Sequence, residues 1–500
     1  MTQFDWSVIN FAWLPLLPLI AVAAGAMGVL TIGIQIDDED SGGLGILTIA
    51  LFAVAGLMAS FLFGQGHSLS FSGALALGDY TAFFELVILF AAAMTALMSV
   101  EYAADQGLAG AEYYSLVMFA ALGMMLMAAA DDLIVIFLGL ETMSIAVYAL
   151  AGFMRRDPRS NEAALKYFLL GAFSTGFLLY GIALIYGATG SIKLESIEAA
   201  LARPTTDNAL LLAGVGLMLI GFGFKVAAVP FHMWTPDAYE GAPTPITAFM
   251  AVGVKLAAFA AFVRVFMIHL GPLGTRWTLV VGVVAALTMT AGNLIALVQS
   301  NIKRMLAYST IAHAGYLLVA MAASASPRAG GAILYYLLGY AFTNLGAFAV
   351  VVALERRGGI HDDIADYRGL ATRHPWLAAA MALFLLSLTG VPPLTGFFGK
   401  FYIFAAALDA HLVWLTVIAV INSVASAYYY LGVIIAMYVR EGGVEPVPLS
   451  ARPALIATLV VAAIGTVLIG VFPQPYVAVA SDAYASALSP VPRQHTVLSK

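Results

Sequence analysis

Apolar runs of about 18 or more residues recur from one end of this chain to the other, each long enough to cross a hydrocarbon core of about 30 Å. In lipid every backbone N–H and C=O must find its partner inside the protein, so runs of this length without two-residue alternation can span only as helices. Hydrophobic residues make up 62% of the chain and charged residues 10%, and the mean hydropathy is +0.95. A soluble domain carries about 25% charged residues. No stretch is polar enough to form a separate soluble domain. The expectation is one all-α polytopic bundle over residues 1–500. The net charge of −6 is spread through the loops and suggests no nucleic-acid partner.

Cysteine is absent. That excludes cysteine-ligated iron–sulfur clusters, thiolate zinc sites and c-type haem attachment. If the chain serves a redox system, the electrons move elsewhere. The first residues, MTQFDWSVINFAWLPLL, carry no basic n-region and no Arg-rich amphipathic stretch. They read as the approach to a retained span, with no cleavable signal or transit peptide.

Fourteen spans are expected, near 13–35, 43–63, 80–100, 112–130, 132–153, 162–186, 208–239, 244–268, 276–298, 303–323, 329–354, 376–408, 411–438 and 453–472. With the N-terminus outside, the inner loops hold Arg155, Arg156, Arg159, Lys303, Arg304, Arg356, Arg357, Arg368, Arg373, Arg440 and Arg452. Only six basic residues then lie outside, so the positive-inside rule places both termini on the outer side. The acidic loop at 37–40 falls inside, where carboxylates contribute little to orientation.

Two spans are too long for simple helices. Segments 208–239 and 376–408 would each run to roughly 50 Å at 1.5 Å per residue. Each contains proline partway, Pro230 in one and Pro392-Pro393 in the other, and proline breaks or kinks a helix. Paired interrupted spans point to inverted repeats with an ion site at the breaks. The breaks lie five spans apart, which matches a five-helix repeat covering 112–268 and 276–438.

Four ionisable residues sit deep in these apolar segments: Glu141, Lys225, Lys255 and Lys400. Each costs roughly 2.5–3.5 kcal/mol near a bilayer midplane on insertion scales, so each marks a path for ions or protons ahead of a merely structural ion pair. Lys400 and Lys166 lie nearer polar sequence, and snorkelling to the interface competes for both. His232 and His313 are the histidines best placed in spans and can relay protons. Lys303 and Arg304 read as topology determinants. GFGFK at 221–225 has no strand before it, so the dinucleotide fingerprint fails.

Three stretches carry a family likeness: FGFKVAAVPFHMWTPDAYEGAPTPITAFMAVGVKLAAF (222–259), NIKRMLAYSTIAHAGYLL (301–318) and LTGVPPLTGFFGKFYIF (388–404). On these the chain resembles the subunit N family of the proton-pumping NADH:quinone oxidoreductase, respiratory complex I, within the antiporter-like superfamily. The YEGAPTP form at 239–245 is typical of subunit N. The resemblance implies a fourteen-helix fold with an inverted repeat. It implies that Glu141 and Lys225 are the charged pair of helices five and seven, Lys255 the central lysine and Lys400 the terminal one. Lys166, His232 and His313 match further positions of the polar axis. In the related subunit M the twelfth-helix residue is typically glutamate, so Lys400 favours N.

The resulting expectation is a proton-translocating, hetero-oligomeric membrane subunit of complex I in a bacterial inner membrane. Its partners would be the neighbouring membrane subunits, with lipids between them. NADH, flavin, iron–sulfur clusters and quinone would all belong to other subunits, with no cofactor in this chain. The nearest alternative is a subunit of a multi-subunit cation/proton antiporter, which shares the fold and the charges. A structural spacer between pump modules is a third reading, but a spacer gains nothing from buried midplane charges.

Overall fold

A computed structural model of the chain describes residues 13–35, 42–66, 68–108, 110–201, 203, 208–355, 362–443 and 452–489. The acidic loop at 37–40, Arg356, Arg357 and the N-terminal residues before Trp13 lie outside the described residues. Among the described residues eleven helices are long and apolar enough to cross a membrane, and three shorter apolar ones join them: Leu17–Gly33, Ala209–Lys225 and Pro375–Thr389. Together they match the fourteen expected spans, numbered here 1 to 14 in chain order. The central ones are span 8 (Thr244–His269), span 10 (Ile302–Ala322) and span 11 (Ala329–Leu354), which are buried almost throughout. Spans 6 (Pro158–Thr189), 9 (Gly274–Ala296) and 13 (Val413–Val439) turn residues such as Phe173, Leu279 and Val424 outward, as lipid-facing helices do.

Local chemistry sets several helix ends. The Asp132 carboxylate accepts from Ile134 N at 2.8 Å and starts span 5 (Leu133–Ala151). Asp157 accepts from Arg159 N, and Pro158 opens span 6, which runs longer than the expected 162–186. Close packing between spans uses glycine. A Cβ on Gly123 of span 4 (Ala111–Ala129) would lie 2.4 Å from Met143 N and 2.6 Å from Gly139 O of span 5. Without a side chain the two backbones approach directly.

Spans 7 and 12 are interrupted at their prolines, as expected. Span 7 runs Asn208–Lys225, passes through turns that include Ala227 at φ 61° and Pro230, and resumes as Trp234–Gly241. Span 12 runs Pro375–Thr389, breaks across Gly390 at φ 94° and Pro392-Pro393, and resumes as Thr395–Asp409. Glycine suits that left-handed position because it has no Cβ to clash.

Among the shorter elements not anticipated, three pack against the bundle ends. A short antiparallel hairpin pairs Ser68–Ser70 with Leu75–Leu77, and bridges from it to Ala130 and from Asp132 to Lys193 tie together one end of the bundle. Leu194–Leu201 forms a small helix beside it. Pro473–Leu488 forms a further helix after span 14 (Pro453–Val471) and packs on spans 3 (Asp79–Gln106) and 11. All three lack the length or hydropathy that flags a span.

Candidate functional site

Lys225 ends the first half of span 7 and is buried. Its Nζ donates to Ser144 Oγ at 2.7 Å and Tyr148 Oη at 3.2 Å, both on span 5. The same ammonium lies 5.4 Å from the Tyr148 ring centroid and 5.9 Å from that of Tyr167. Glu141 sits on the same face of span 5, three residues before Ser144 and seven before Tyr148. It acts electrostatically on Lys225 but forms no direct ion pair with it among the described residues, and its Oε1 has no hydrogen-bond partner. Hydroxyl groups thus stand between the two charges.

Lys255 lies in span 8, directly after the π-helical turn Met250–Val254. Such turns recur at functional sites because they re-aim side chains out of helical register. The buried Nζ donates to the carbonyl of Thr310 on span 10. Tyr340 Oη donates to Thr310 Oγ1 at 3.1 Å, and Asn344 Nδ2 donates to Tyr340 Oη at 2.8 Å. One turn along span 10, His313 is held between Tyr336 on Nδ1 at 2.5 Å and Tyr430 on Nε2 at 3.1 Å. It lies in electrostatic range of both Lys255 and Lys400.

Lys400 is buried and does not snorkel. Its Nζ donates to Leu388 O at 3.0 Å, Thr389 O at 2.8 Å and Ser423 Oγ at 2.9 Å, and lies 4.9 Å from the Tyr316 ring centroid. The break in span 12 releases carbonyls that the ammonium then binds. Span 7 differs. There the Trp234 indole donates to Phe224 O at 3.1 Å and Ala228 N donates to Gly223 O at 2.7 Å, so the opened carbonyls are not held by Lys225.

The remaining candidates lie apart. Lys166 is 43% exposed and pairs with Glu162 and Asp237, each at 2.7 Å. Asp237 also pairs with Arg304 at 2.8 Å, and Arg304 with Glu240 at 2.6 Å. Lys166 thus belongs to a partly exposed polar network, apart from the contacts of the buried lysines. His232 lies half-buried in the break of span 7 with Nδ1 unpartnered. Lys303, read from sequence as a topology determinant, is only 4% exposed, and its Nζ donates to Ala242 O at 2.9 Å.

Sequence reasoning passed over the neutral partners of the buried lysines and of His313. Ser144 and Tyr148 follow Glu141 at helical spacing, and Tyr336, Tyr340 and Asn344 repeat every four residues along span 11, so a signal was present. It also passed over Glu85, buried in span 3 with neither carboxylate oxygen partnered. Arg264 is buried in span 8, where it donates to Ala128 O at 2.9 Å and faces Asp131 at 3.7 Å. Among the described residues no three His, Cys, Asp or Glu side chains converge as a metal site requires.

Residues 130–426 match the family described as "NADH:quinone oxidoreductase/Mrp antiporter, TM". The chain is 46% identical over 459 residues to the NADH-quinone oxidoreductase subunit N of Trichlorobacter lovleyi, covering 92% of this chain and 94% of that one. The chain belongs to the subunit N family of NADH-quinone oxidoreductase. Its fold matches a chain of respiratory complex I from Thermus thermophilus with TM-score 0.77 and 36% identity, over 93% of this chain and 99% of that one. A chain of the Mrp complex from Dietzia sp. DQ12-45-1b superposes with TM-score 0.83 at 21% identity, over 96% of this chain and 98% of that one. That second likeness is one of fold alone. Subunit N is a multi-pass membrane subunit of bacterial complex I, and the buried charged residues are consistent with proton translocation.

Proposed function

We propose that the buried row Glu141–Lys225–Lys255–His313–Lys400 carries protons across the membrane, coupled to NADH oxidation and quinone reduction in other subunits. One observation carries this reading: three lysines are buried together, with hydroxyl, carbonyl or imidazole neighbours at each. Uncompensated charges in a bilayer are expensive, and intramembrane ionisable groups mark proton and ion pathways. Amine, hydroxyl and imidazole groups within hydrogen-bond reach form and break N–H and O–H bonds without covalent chemistry.

On this reading Glu141 stabilises the charged form of Lys225. Lys255 exchanges protons at the centre, and His313 passes them between Lys255 and Lys400. Lys400, at the open break, is the exchange point on the far side. Lys166 and His232 support the row from its edge, through the Asp237 network and the break of span 7. Residues 112–268 and 276–438 act as inverted repeats, each supplying one interrupted span. The arginine-rich loops lie on the inner face of a bacterial inner membrane and both termini outside. Neighbouring membrane subunits and lipids cover the exposed apolar faces. NADH, flavin, iron–sulfur clusters and quinone are held by other subunits.

The test is purification of the tagged chain from its native membrane. Co-purification with flavin- and iron–sulfur-containing partners, together with NADH-driven proton translocation in vesicles that is lost in a Lys255→Ala complex, supports the reading. A partner set without redox proteins, and cation-dependent proton flux without NADH, would assign the antiporter alternative instead.

A further inference from the structure

Glu355 follows the last turn of span 11, at the bundle end that carries the arginine-rich loops, and is only 8% exposed. Its carboxylate accepts from the Thr244 hydroxyl at the start of span 8 and from Tyr102 of span 3. Lys303 of span 10 and Asp362 of the following loop lie in electrostatic range, Asp362 being 5% exposed with an unpartnered Oδ1. Two buried carboxyls thus face one buried ammonium. On the remaining side, Arg452 at the start of span 14 is engaged by Asp105 at 2.6 Å and donates to the Glu355 backbone carbonyl at 3.3 Å. Glu101 of span 3 caps Ala454 N. These contacts close the cluster toward spans 3 and 14.

The cluster is aligned with the central lysine. Lys303 and Thr310 are seven residues apart on one face of span 10, and the Thr310 carbonyl receives Lys255. Asn344 precedes Glu355 by eleven residues, about three turns or 16 Å along span 11. Asn344 is fully buried, donates to Tyr340, and leaves its Oδ1 unpartnered. Polar side chains on span 11 thus recur at the level of Lys255 and again at Glu355, with the apolar residues 345–354 between them. Burial pushes the Glu355 carboxyl above the usual carboxylate range, with Lys303 opposing and Asp362 adding to the shift.

We propose that Glu355, opposite Lys303, is the proton-loading group that supplies Lys255 from the arginine-rich face. A proton from that face forms an O–H bond at the Glu355 carboxylate. That bond breaks as the proton leaves toward span 10, and an N–H bond forms on neutral Lys255. The carboxylate regains its negative charge as the ammonium forms. This inference rests on the proposed role of the row and on the inward orientation of the arginine-rich loops.

The test uses the whole complex in inverted membrane vesicles, whose inner face meets the bath. Glu355→Gln, at wild-type complex content on native gels, is expected to lower NADH-driven turnover and proton uptake severalfold. It should also flatten the dependence on bath pH, while Glu355→Asp retains most activity. Thr244→Val removes the hydroxyl donor but keeps the carboxyl, and should shift the same pH profile, which serves if Glu355→Gln fails to assemble. A Glu355→Gln complex with wild-type turnover and pH profile overturns the proposal. So does a loss of equal size at every bath pH, which marks a structural role, or a profile that follows lumen pH. Lys255→Ala separates the two readings. If it pumps like wild type, the row itself is wrong. If it is inactive while Glu355→Gln is normal, only the loading assignment falls.

Discussion

Lys400 and Leu388 lie on opposite sides of the break in span 12, and the ammonium of one caps the carbonyl of the other at 3.0 Å. The helix opens at Gly390 and the prolines, and the side chain from the second half returns to satisfy the first. Charge and backbone stabilise each other here. An ammonium is otherwise costly in the bilayer, and so is an unpaired carbonyl.

Lys400→Ala should therefore lose function in two separable ways. It removes a proton-exchanging amine and leaves the Leu388 and Thr389 carbonyls without that partner. Lys400→Arg keeps a cation for the carbonyls but does not deprotonate near neutral pH. The expected ranking of NADH-driven pumping in assembled complexes is wild type well above arginine, and arginine near alanine. Thermal inactivation should show arginine more stable than alanine. Wild-type pumping in Lys400→Arg would reduce Lys400 to a structural clasp.

Glu141 tests whether Lys225 needs a counter-charge across intervening hydroxyls. Glu141→Gln should impair pumping and quinone reduction together, because the steps are coupled, and Glu141→Asp should retain more of both. Ser144→Ala removes one acceptor of Lys225 and should cause a smaller loss, since a hydrogen bond to a charged group contributes about 1.5–3 kcal/mol. Near-normal pumping in a fully assembled Glu141→Gln enzyme would take the carboxylate out of the mechanism.

Lys255 is fixed by a single hydrogen bond, to the Thr310 carbonyl, among the described residues, and replacement by alanine is expected to abolish most turnover. Arginine should fail to restore it, because the position needs a proton that leaves. Full rescue by arginine, measured as NADH-driven acidification of vesicles, would show that only a fixed positive charge is required.

Gly123 concerns assembly more than chemistry. An added methyl group meets backbone atoms of Met143 and Gly139, which do not give way as a flexible side chain does. Gly123→Ala should separate spans 4 and 5 at a cost of about 1–3 kcal/mol, the usual range for overpacking. Span 5 carries Glu141, Ser144 and Tyr148, so a lower inactivation temperature should come with weakened pumping. An unchanged inactivation temperature would mean that the two helices move apart freely.

The sequence by itself determined the number and order of the spans, because the hydrocarbon thickness fixes how long an apolar run must be, while helix ends such as those of span 6 lay several residues beyond the apolar run. It determined the two interruptions, since proline cannot keep the helical hydrogen-bond ladder. It also marked Glu141, Lys225, Lys255 and Lys400, because a charge in an apolar run stands out against its neighbours. Tertiary structure decided what those charges touch. Ser144, Tyr148, Thr310 and Tyr336 are neutral residues that any membrane helix can carry, and only helix packing turns the first three toward a lysine and the last toward His313. The same holds for Lys303 and Lys166. One lies near a loop in sequence yet is buried where spans 8, 10 and 11 meet, and the other lies deeper in its run yet is half-exposed among carboxylates. Position along a helix sets depth in the membrane, but the face that meets another helix sets burial, and that depends on partners distant in the chain.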